Sequence, residues 1–310
     1  MENEQKLPKI CVIMSTYNGE KYLKVQIDSI LNQKNVDLTL HIFDDISTDK
    51  TVEIAKEYES KNSNVFVHVN EKNKNFTYNF LDALFSFKDN DEFDYYAFAD
   101  QDDFWLDEKL IRAITKIQET GECTLYSSNL KVVNENLEYQ NINMVPDNYK
   151  SREHNILGKN IVTGCTVVID KSFKNLATMY YPENIYCHDY WLAIIANYTK
   201  DAHYVYDSLP DNILYRQHGN NLIGANNSFI KKVKKFLFKK MPYEKTVHNL
   251  LNHFYNLYKE HISEKNLVII NNLLSYKKFG KKLKNLLWLK GSYSFSHKIK
   301  LKIKMFLNKY

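Results

Sequence analysis

Residues Phe93–Leu110 read FDYYAFADQDDFWLDEKL. The run Tyr95–Ala99 is apolar and aromatic throughout, then Asp100, Asp102 and Asp103 follow within four positions. A strand this apolar is not an exposed edge; it reads as one buried in a sheet with both faces covered. Three carboxylates at the end of a buried strand repel one another and are costly to desolvate. They are therefore either exposed or gathered around a cation. Phe104 and Trp105 close the loop from the far side, and Asp107 is placed to cap a helix over 108–119.

Working back toward the N-terminus, Ile10–Met14 is a short apolar run that stops at Ser15-Thr16-Tyr17-Asn18-Gly19, a turn-rich cluster. Leu23, Ile27, Ile30 and Leu31 recur at helical spacing. Leu38–Phe43 reads as a second strand ending in Asp44-Asp45, and Ser47, Thr48 or Asp49 can cap the next helix, with Val52, Ala55 and Tyr58 on its apolar face. Val65–Val69 is a third strand, and Phe76, Phe80, Leu84 and Phe87 are spaced for a helix. Strands alternating with helices predict βαβ units and a mostly parallel sheet. Ligands bind such sheets beyond the carboxyl ends of the strands. The topology would bring STYNG, the Asp44-Asp45 pair and DQDD to one edge. Neither a GxGxxG nor a GxxxxGK[ST] loop follows the first strand, so side chains and carboxylates must hold any nucleotide.

Beyond residue 120 the pattern changes. Cys123–Ser127, Ile161–Ile169, Ala202–Tyr206 and Asn212–Tyr215 are strand-like, and Asp189–Ala196 is helical. From Phe229 onward the spacing is helical, including 229–240, Val247–His261 and Leu267–Tyr276. The overall charge of +5 hides an asymmetry: residues 225–310 hold 20 Lys, no Arg and three acids, whereas 1–224 carry a balance of −12. This predicts an acidic body over 1–224 (halves 1–120 and 121–224) and a basic helical region over 225–310. The four cysteines form no CxxC pair and read as reduced thiols. Polar residues precede the first apolar run, which is unlike a secretory signal, and no apolar stretch reaches the roughly 18 residues of a membrane span. A cytoplasmic protein is expected.

Hard oxygen ligands beside a diphosphate suit Mg²⁺ or Mn²⁺, which favour a few carboxylates plus substrate phosphates. Taken in order, CVIMSTYNGEKYL, ILNQ, HIFDDISTDKT, FADQDDFWLDEKL, CHDYWL and YRQHGNN resemble family 2 glycosyltransferases of the GT-A fold, over residues 9 to about 224. They are similar to the bacterial branch that builds rhamnose-containing wall, capsule and O-antigen polysaccharides. The fold so implied is a Rossmann-like, mostly parallel sheet with flanking helices.

The resemblance also implies roles. Ser15 and Tyr17 fall in the loop that contacts the nucleotide base, and Asp45 is the acid that hydrogen-bonds the pyrimidine. Asp100 and Asp102 occupy the DxD-type motif that holds ribose and the divalent metal, with Asp103 and His218 as further candidate ligands. Asp189, in the His188-Asp189 pair where the family often has Glu-Asp, becomes the general base of an inverting transfer. Asp189 is also placed to cap the helix that begins at Tyr190, and both roles could hold at once, whereas His218 reads as well as a loop histidine bonded to backbone. Gly164 would let backbone approach the donor sugar; Cys165 has no paired base and is not read as a nucleophile. Two positions depart from the family pattern. Ile46 and Asn75 stand where glycine is common, and a β-branched residue adopts positive φ poorly, so the loop at Ile46 is expected to differ.

The implied donor is a nucleotide sugar, TDP-rhamnose or a UDP-hexose, and the acceptor a saccharide hanging from a polyprenyl lipid. The segment FIKKVKKFLFKK (229–240) places apolar residues along one side and lysines elsewhere, and KIKLKIK (298–304) adds charge. Basic amphipathic segments lie on anionic membranes, where each lysine contributes about 1 kcal/mol. Nucleic acid is not expected, because the tail has no Arg and the body is acidic. A nucleotidyltransferase also uses acidic metal sites but needs a glycine-rich phosphate loop, which STYNGE is not. A non-catalytic nucleotide-sugar scaffold is opposed by Asp45, Asp100, Asp102, Asp189 and His218 occurring together.

Overall fold

The computed structural model describes residues 6–145, 156, 160–218 and 247–275 of the 310-residue chain. The basic segments 229–240 and 298–304, and residues 219–221 of YRQHGNN, lie outside the described residues. The first half alternates as the spacing predicts: β1 (Lys9–Thr16), α1 (Leu23–Leu31), β2 (Asp37–Asp44), α2 (Thr51–Lys61), β3 (Val65–Val69), α3 (Asn75–Ser86) and β4 (Tyr95–Ala99). There follow β5 (Phe104–Trp105), α4 (Lys109–Thr120), β6 (Thr124–Ser128), β7 (Lys131–Val133), β8 (Tyr139–Asn143), β9 (Val168–Asp170), α5 (Lys171–Ala177), α6 (His188–Tyr198), β10 (His203–Asp207) and β11 (Ile213–Arg216). Two further helices are described, α7 (Val247–Tyr258) and α8 (Glu264–Leu274).

Seven strands form one sheet in the order β10-β6-β9-β4-β1-β2-β3. The β4-β1-β2-β3 part is parallel, and β9 runs antiparallel between β4 and β6. A second sheet, β5-β11-β7-β8, joins the segment after the carboxylate loop to the segment carrying His218.

The alternation of side chains across β1 and β4 explains their unbroken apolar runs. Cys11, Ile13, Tyr96 and Phe98 enter a core shared with α3, α5 and α6. Ile10, Val12, Met14, Ala97 and Ala99 enter a second core with α1, α2 and α4. A central strand covered on both faces needs apolar residues at every position. Helix α6 is apolar nearly all round and is buried accordingly. Helices α7 and α8 add Leu250, Leu251, Phe254, Tyr258 and Ile270 to the first core. The Phe254 and Tyr258 rings pack on Trp191, and the Tyr258 hydroxyl donates to the Leu176 carbonyl at 3.0 Å.

Several local expectations are corrected. Asp107 does not cap α4: its carboxylate pairs with Lys34 at 2.6 Å, and the Leu110 amide at the helix start donates instead to Gln33 Oε1 at 3.0 Å. Lys50 occupies the N-cap position of α2, while Asp49, one residue earlier, accepts from the Thr51 amide at 2.9 Å. The run Ile161–Ile169 is a strand only over its last residues, because Gly164–Thr166 forms a 3₁₀ turn. The loop at Ile46 keeps the left-handed conformation expected of glycine, with φ 62°, as does Asn75. Around Ile46, the Asp44 carboxylate takes the Ser47 amide at 2.7 Å and its hydroxyl at 2.5 Å, and these bonds hold the turn against the steric penalty of the β-branch.

Candidate active site

The carboxyl ends of β1, β2 and β4 meet at one edge of the sheet. Thr16 Oγ1 donates to Asp44 Oδ2 at 2.8 Å, so the fully buried Asp44 is occupied with joining two strands and their loop. Its neighbour Asp45 is also buried, and the 73–75 loop wraps it. The Lys74 amide and Asn70 Nδ2 donate to Asp45 Oδ1 at 2.7 and 3.0 Å, while Asn73 Nδ2 donates to its carbonyl at 3.0 Å. Ser15 Oγ accepts from Asn79 Nδ2 at 2.7 Å, and the same nitrogen donates to the Phe43 carbonyl. Tyr17 is exposed, with its backbone locked to Gln101: the Tyr17 amide donates to Gln101 Oε1 at 2.8 Å and Gln101 Nε2 donates back to the Tyr17 carbonyl at 3.0 Å. A Cβ on Gly19 would lie 2.2 Å from Gln101 Oε1, which explains that glycine.

Within the carboxylate loop the three acids differ. Asp100 and Asp102 are partly exposed and Asp103 is fully buried. Asp102 Oδ2 meets His218 Nε2 at 2.8 Å. Asp103 Oδ1 accepts the Arg216 amide at 3.2 Å, and Arg216 Nε donates to the Asp102 carbonyl at 2.8 Å. The Arg216 guanidinium covers the Tyr22 ring at 4.5 Å, with the His218 ring 4.9 Å from the same tyrosine. Burial, then the charges of Asp102 and Asp189, raise the Asp100 carboxyl above the usual carboxylate range. Burial, with Asp102 and Asp100, does the same more strongly at Asp103. Beneath them lies Lys109, buried with its ammonium 3.5 Å over the Trp105 ring; burial pushes its pKa down to about 7 against the pull of Cys165 and Asp103.

Asp189 stands in the first turn of α6 and is 6% exposed. Its Oδ1 accepts from Cys187 Sγ at 2.9 Å and Asn160 Nδ2 at 3.1 Å. Burial raises its carboxyl to about 6, partly offset by these bonds and by the amides of Tyr190 and Gly164. A carboxylate near neutrality, desolvated and oriented, is the form of a general base. Asp189 is not the N-cap residue; Cys187 takes that position with no side-chain cap bond. At Gly164, an added Cβ would lie 2.8 Å from His188 Nε2, so the missing side chain makes room for the His188 ring.

Among the described residues, ligand atoms of Asp100, Asp103 and Cys165 lie within 4.8 Å of one another. Gln101, Asn79, Asn160, Lys109 and Arg216 hold the site together and were not singled out from sequence. Gln101 and Arg216 sit inside the DQDD and YRQHG motifs, so their position was a usable signal; Asn79, Asn160 and Lys109 act across elements and gave none.

Residues 11–177 match the family model described as Glycosyl transferase family 2. The chain is 33% identical over 256 residues to the dTDP-rhamnosyl transferase RfbG of Shigella flexneri, covering 77% of this chain and 83% of that protein. It is 28% identical over 205 residues to the Escherichia coli UDP-Glc:alpha-D-GlcNAc-diphosphoundecaprenol beta-1,3-glucosyltransferase WfgD, covering 62% and 72%. The mannosyltransferase PcManGT of Pyrobaculum calidifontis, solved with GDP-Man and Mn²⁺, superposes with a TM-score of 0.52 at 14% identity, covering 99% of this chain and 82% of that one. The mixed sheet and flanking helices are those of the GT-A fold.

Proposed function

The chain belongs to glycosyl transferase family 2, and on that premise we propose that it is an inverting, divalent-metal-dependent transferase. It moves rhamnose or a hexose from a nucleoside diphosphate to a hydroxyl of a saccharide acceptor carried on a polyprenyl lipid. The observation that supports this reading is that Asp189 lies against Gly164, whose neighbour Cys165 has its sulfur within 4.8 Å of carboxylate oxygens of Asp100 and Asp103. The pyrimidine is read by Asp45 with Ser15 and Tyr17 at the end of β1, and the nucleotide-sugar half spans about 1–120, the acceptor half 121–224. Gly164, whose amide bonds the Asp189 carboxylate, leaves room for the His188 ring.

The donor set fits a hard divalent ion. Asp100 and Asp102 offer partly exposed carboxylates, His218 stands on Asp102, and the buried Asp103 carboxyl lies below them, where a bound cation would favour its charged form. When bound, Mn²⁺ or Mg²⁺ supplies Lewis-acid stabilisation of the charge that gathers on the diphosphate. The protein performs the remainder. Asp189 accepts the proton of the acceptor hydroxyl as that oxygen bonds to the anomeric carbon. On the opposite face the carbon–oxygen bond to the diphosphate breaks, and the nucleoside diphosphate leaves with the bond pair. Cys187, Asn160 and the Gly164 and Tyr190 amides fix the orientation of Asp189.

No described helix is long and apolar enough to cross a membrane. Attachment to the inner membrane face, where the lipid-linked acceptor would reside, is assigned to the basic region 225–310. The transferase reading is tested by titrating TDP-rhamnose, UDP-glucose, UDP-galactose and UDP-N-acetylglucosamine against the protein with Mn²⁺, Mg²⁺ or EDTA. One donor bound and consumed only with metal is the expected result; no donor bound with either metal would contradict the reading.

A further inference from the structure

His188 precedes Asp189 and is 4% exposed, yet among the described residues neither of its ring nitrogens has a hydrogen-bond partner. Its walls are aromatic, with Phe80, Phe98 and Phe76 at centroid distances of 4.3, 5.9 and 6.3 Å. A phenylalanine would fill such a pocket equally well. A buried polar group left unpaired costs about 1–3 kcal/mol, so a polar ring kept here calls for a use.

Its orientation indicates one. A Cβ built on Gly164 would be 2.8 Å from His188 Nε2 and 4.0 Å from Asp189 Cβ, so the imidazole edge and the base converge on the same backbone atom. Burial holds the ring neutral, with its pKa down at about 3. A neutral imidazole offers one N–H and one lone pair, the complement of a hydroxyl, which both donates and accepts.

Resting on the transferase reading above, we propose that His188 is a specificity-determining residue whose imidazole hydrogen-bonds a hydroxyl of the sugar lying against Asp189. At 4% exposed the ring is nearly shielded from water in the free protein, so contact with the sugar requires the Gly164 turn against its Nε2 edge to shift. A site assembled by its substrate in this way discriminates through the group it leaves unpaired when the wrong sugar enters.

The test compares wild type, His188→Phe, His188→Gln and Gly164→Ala on the four nucleotide sugars named above, with Mn²⁺, with and without octyl N-acetylglucosaminide as acceptor. His188→Phe keeps the packed ring and removes both nitrogens; its melting temperature should equal or exceed that of wild type. Nucleoside diphosphate affinity should be unchanged while kcat/KM for the accepted donor falls at least about tenfold. His188→Gln should recover part of the loss, and Gly164→Ala, which displaces the imidazole edge, should reproduce it. A loss already present in donor hydrolysis places the hydroxyl on the donor sugar; a loss confined to transfer places it on the acceptor. Either outcome supports the proposal. Turnover by His188→Phe within twofold of wild type overturns it with the transferase reading intact. A wild type that consumes none of the donors overturns that reading and this inference together.

Discussion

The Asp102 carboxylate and the His218 imidazole meet at 2.8 Å, joining the loop after β4 to the end of β11. Two residues 116 positions apart thereby bring one carboxylate oxygen and one imidazole nitrogen side by side. Asp102→Asn and His218→Ala should each weaken Mn²⁺-dependent donor binding by more than the roughly 10–100-fold that loss of a supporting residue produces. Calorimetric titration with the accepted donor checks this, and EDTA should abolish binding in the wild type.

As the proposed base, Asp189 is expected to make activity and stability move in opposite directions with pH. Its carboxyl, raised to about 6, is protonated below that pH, so kcat/KM should fall about tenfold per unit as pH drops below 6. For stability the sign is reversed. A folded-state value above the ordinary carboxylate value of 3.8 means the fold favours the protonated form, and this contribution is lost as pH rises through about 6. Asp189→Asn should therefore lose about 10²–10⁴-fold in turnover while its melting temperature at pH 7.5 is equal to or above that of wild type.

Ile46 at φ 62° carries a left-handed penalty of about 1–2 kcal/mol for a residue with a Cβ. Glycine removes that penalty but loses about 0.5–1 kcal/mol in chain entropy. Ile46→Gly is expected to stabilise the protein slightly, by up to about 1 kcal/mol, with chemical denaturation as the measure. A destabilised variant would show that the Ile46 side chain contributes contacts that outweigh its strain.

Lys174 is fully buried in α5, and its ammonium donates to the carbonyls of Phe87, Lys88 and Asn90 at 3.0, 2.8 and 3.0 Å. These carbonyls follow the end of α3, so the lysine closes that helix from outside. Lys174→Met retains most of the stem and leaves the carbonyls without it. A loss of about 2–4 kcal/mol is expected, read from the denaturation midpoint.

The fold was legible because β1 and β4 are central strands, and a strand covered on both faces writes itself as an unbroken apolar run, while β3 at the sheet edge alternates buried and exposed positions. The site was legible where one motif supplies both the group and its support, as in DQDD, where Gln101 ties the loop to Tyr17. It was illegible where support comes from another element. Gln33 caps α4 from the end of α1, and Asp107, the local candidate, pairs with Lys34 instead. Gly164 could be read as small, yet only the packed structure shows that His188 occupies the space it leaves. At Ile46, a local preference against positive φ was overridden by the hydrogen bonds of Asp44.

In the proposed mechanism Asp189 acts on bound substrates and does not hold the donor. The most direct measurement is the affinity of Asp189→Asn for the accepted nucleotide sugar with Mn²⁺, taken beside its turnover. Affinity within about threefold of wild type, with turnover reduced by at least about 10²-fold, is the predicted result. Turnover retained in Asp189→Asn, or lost only in proportion to weakened donor binding, would contradict it.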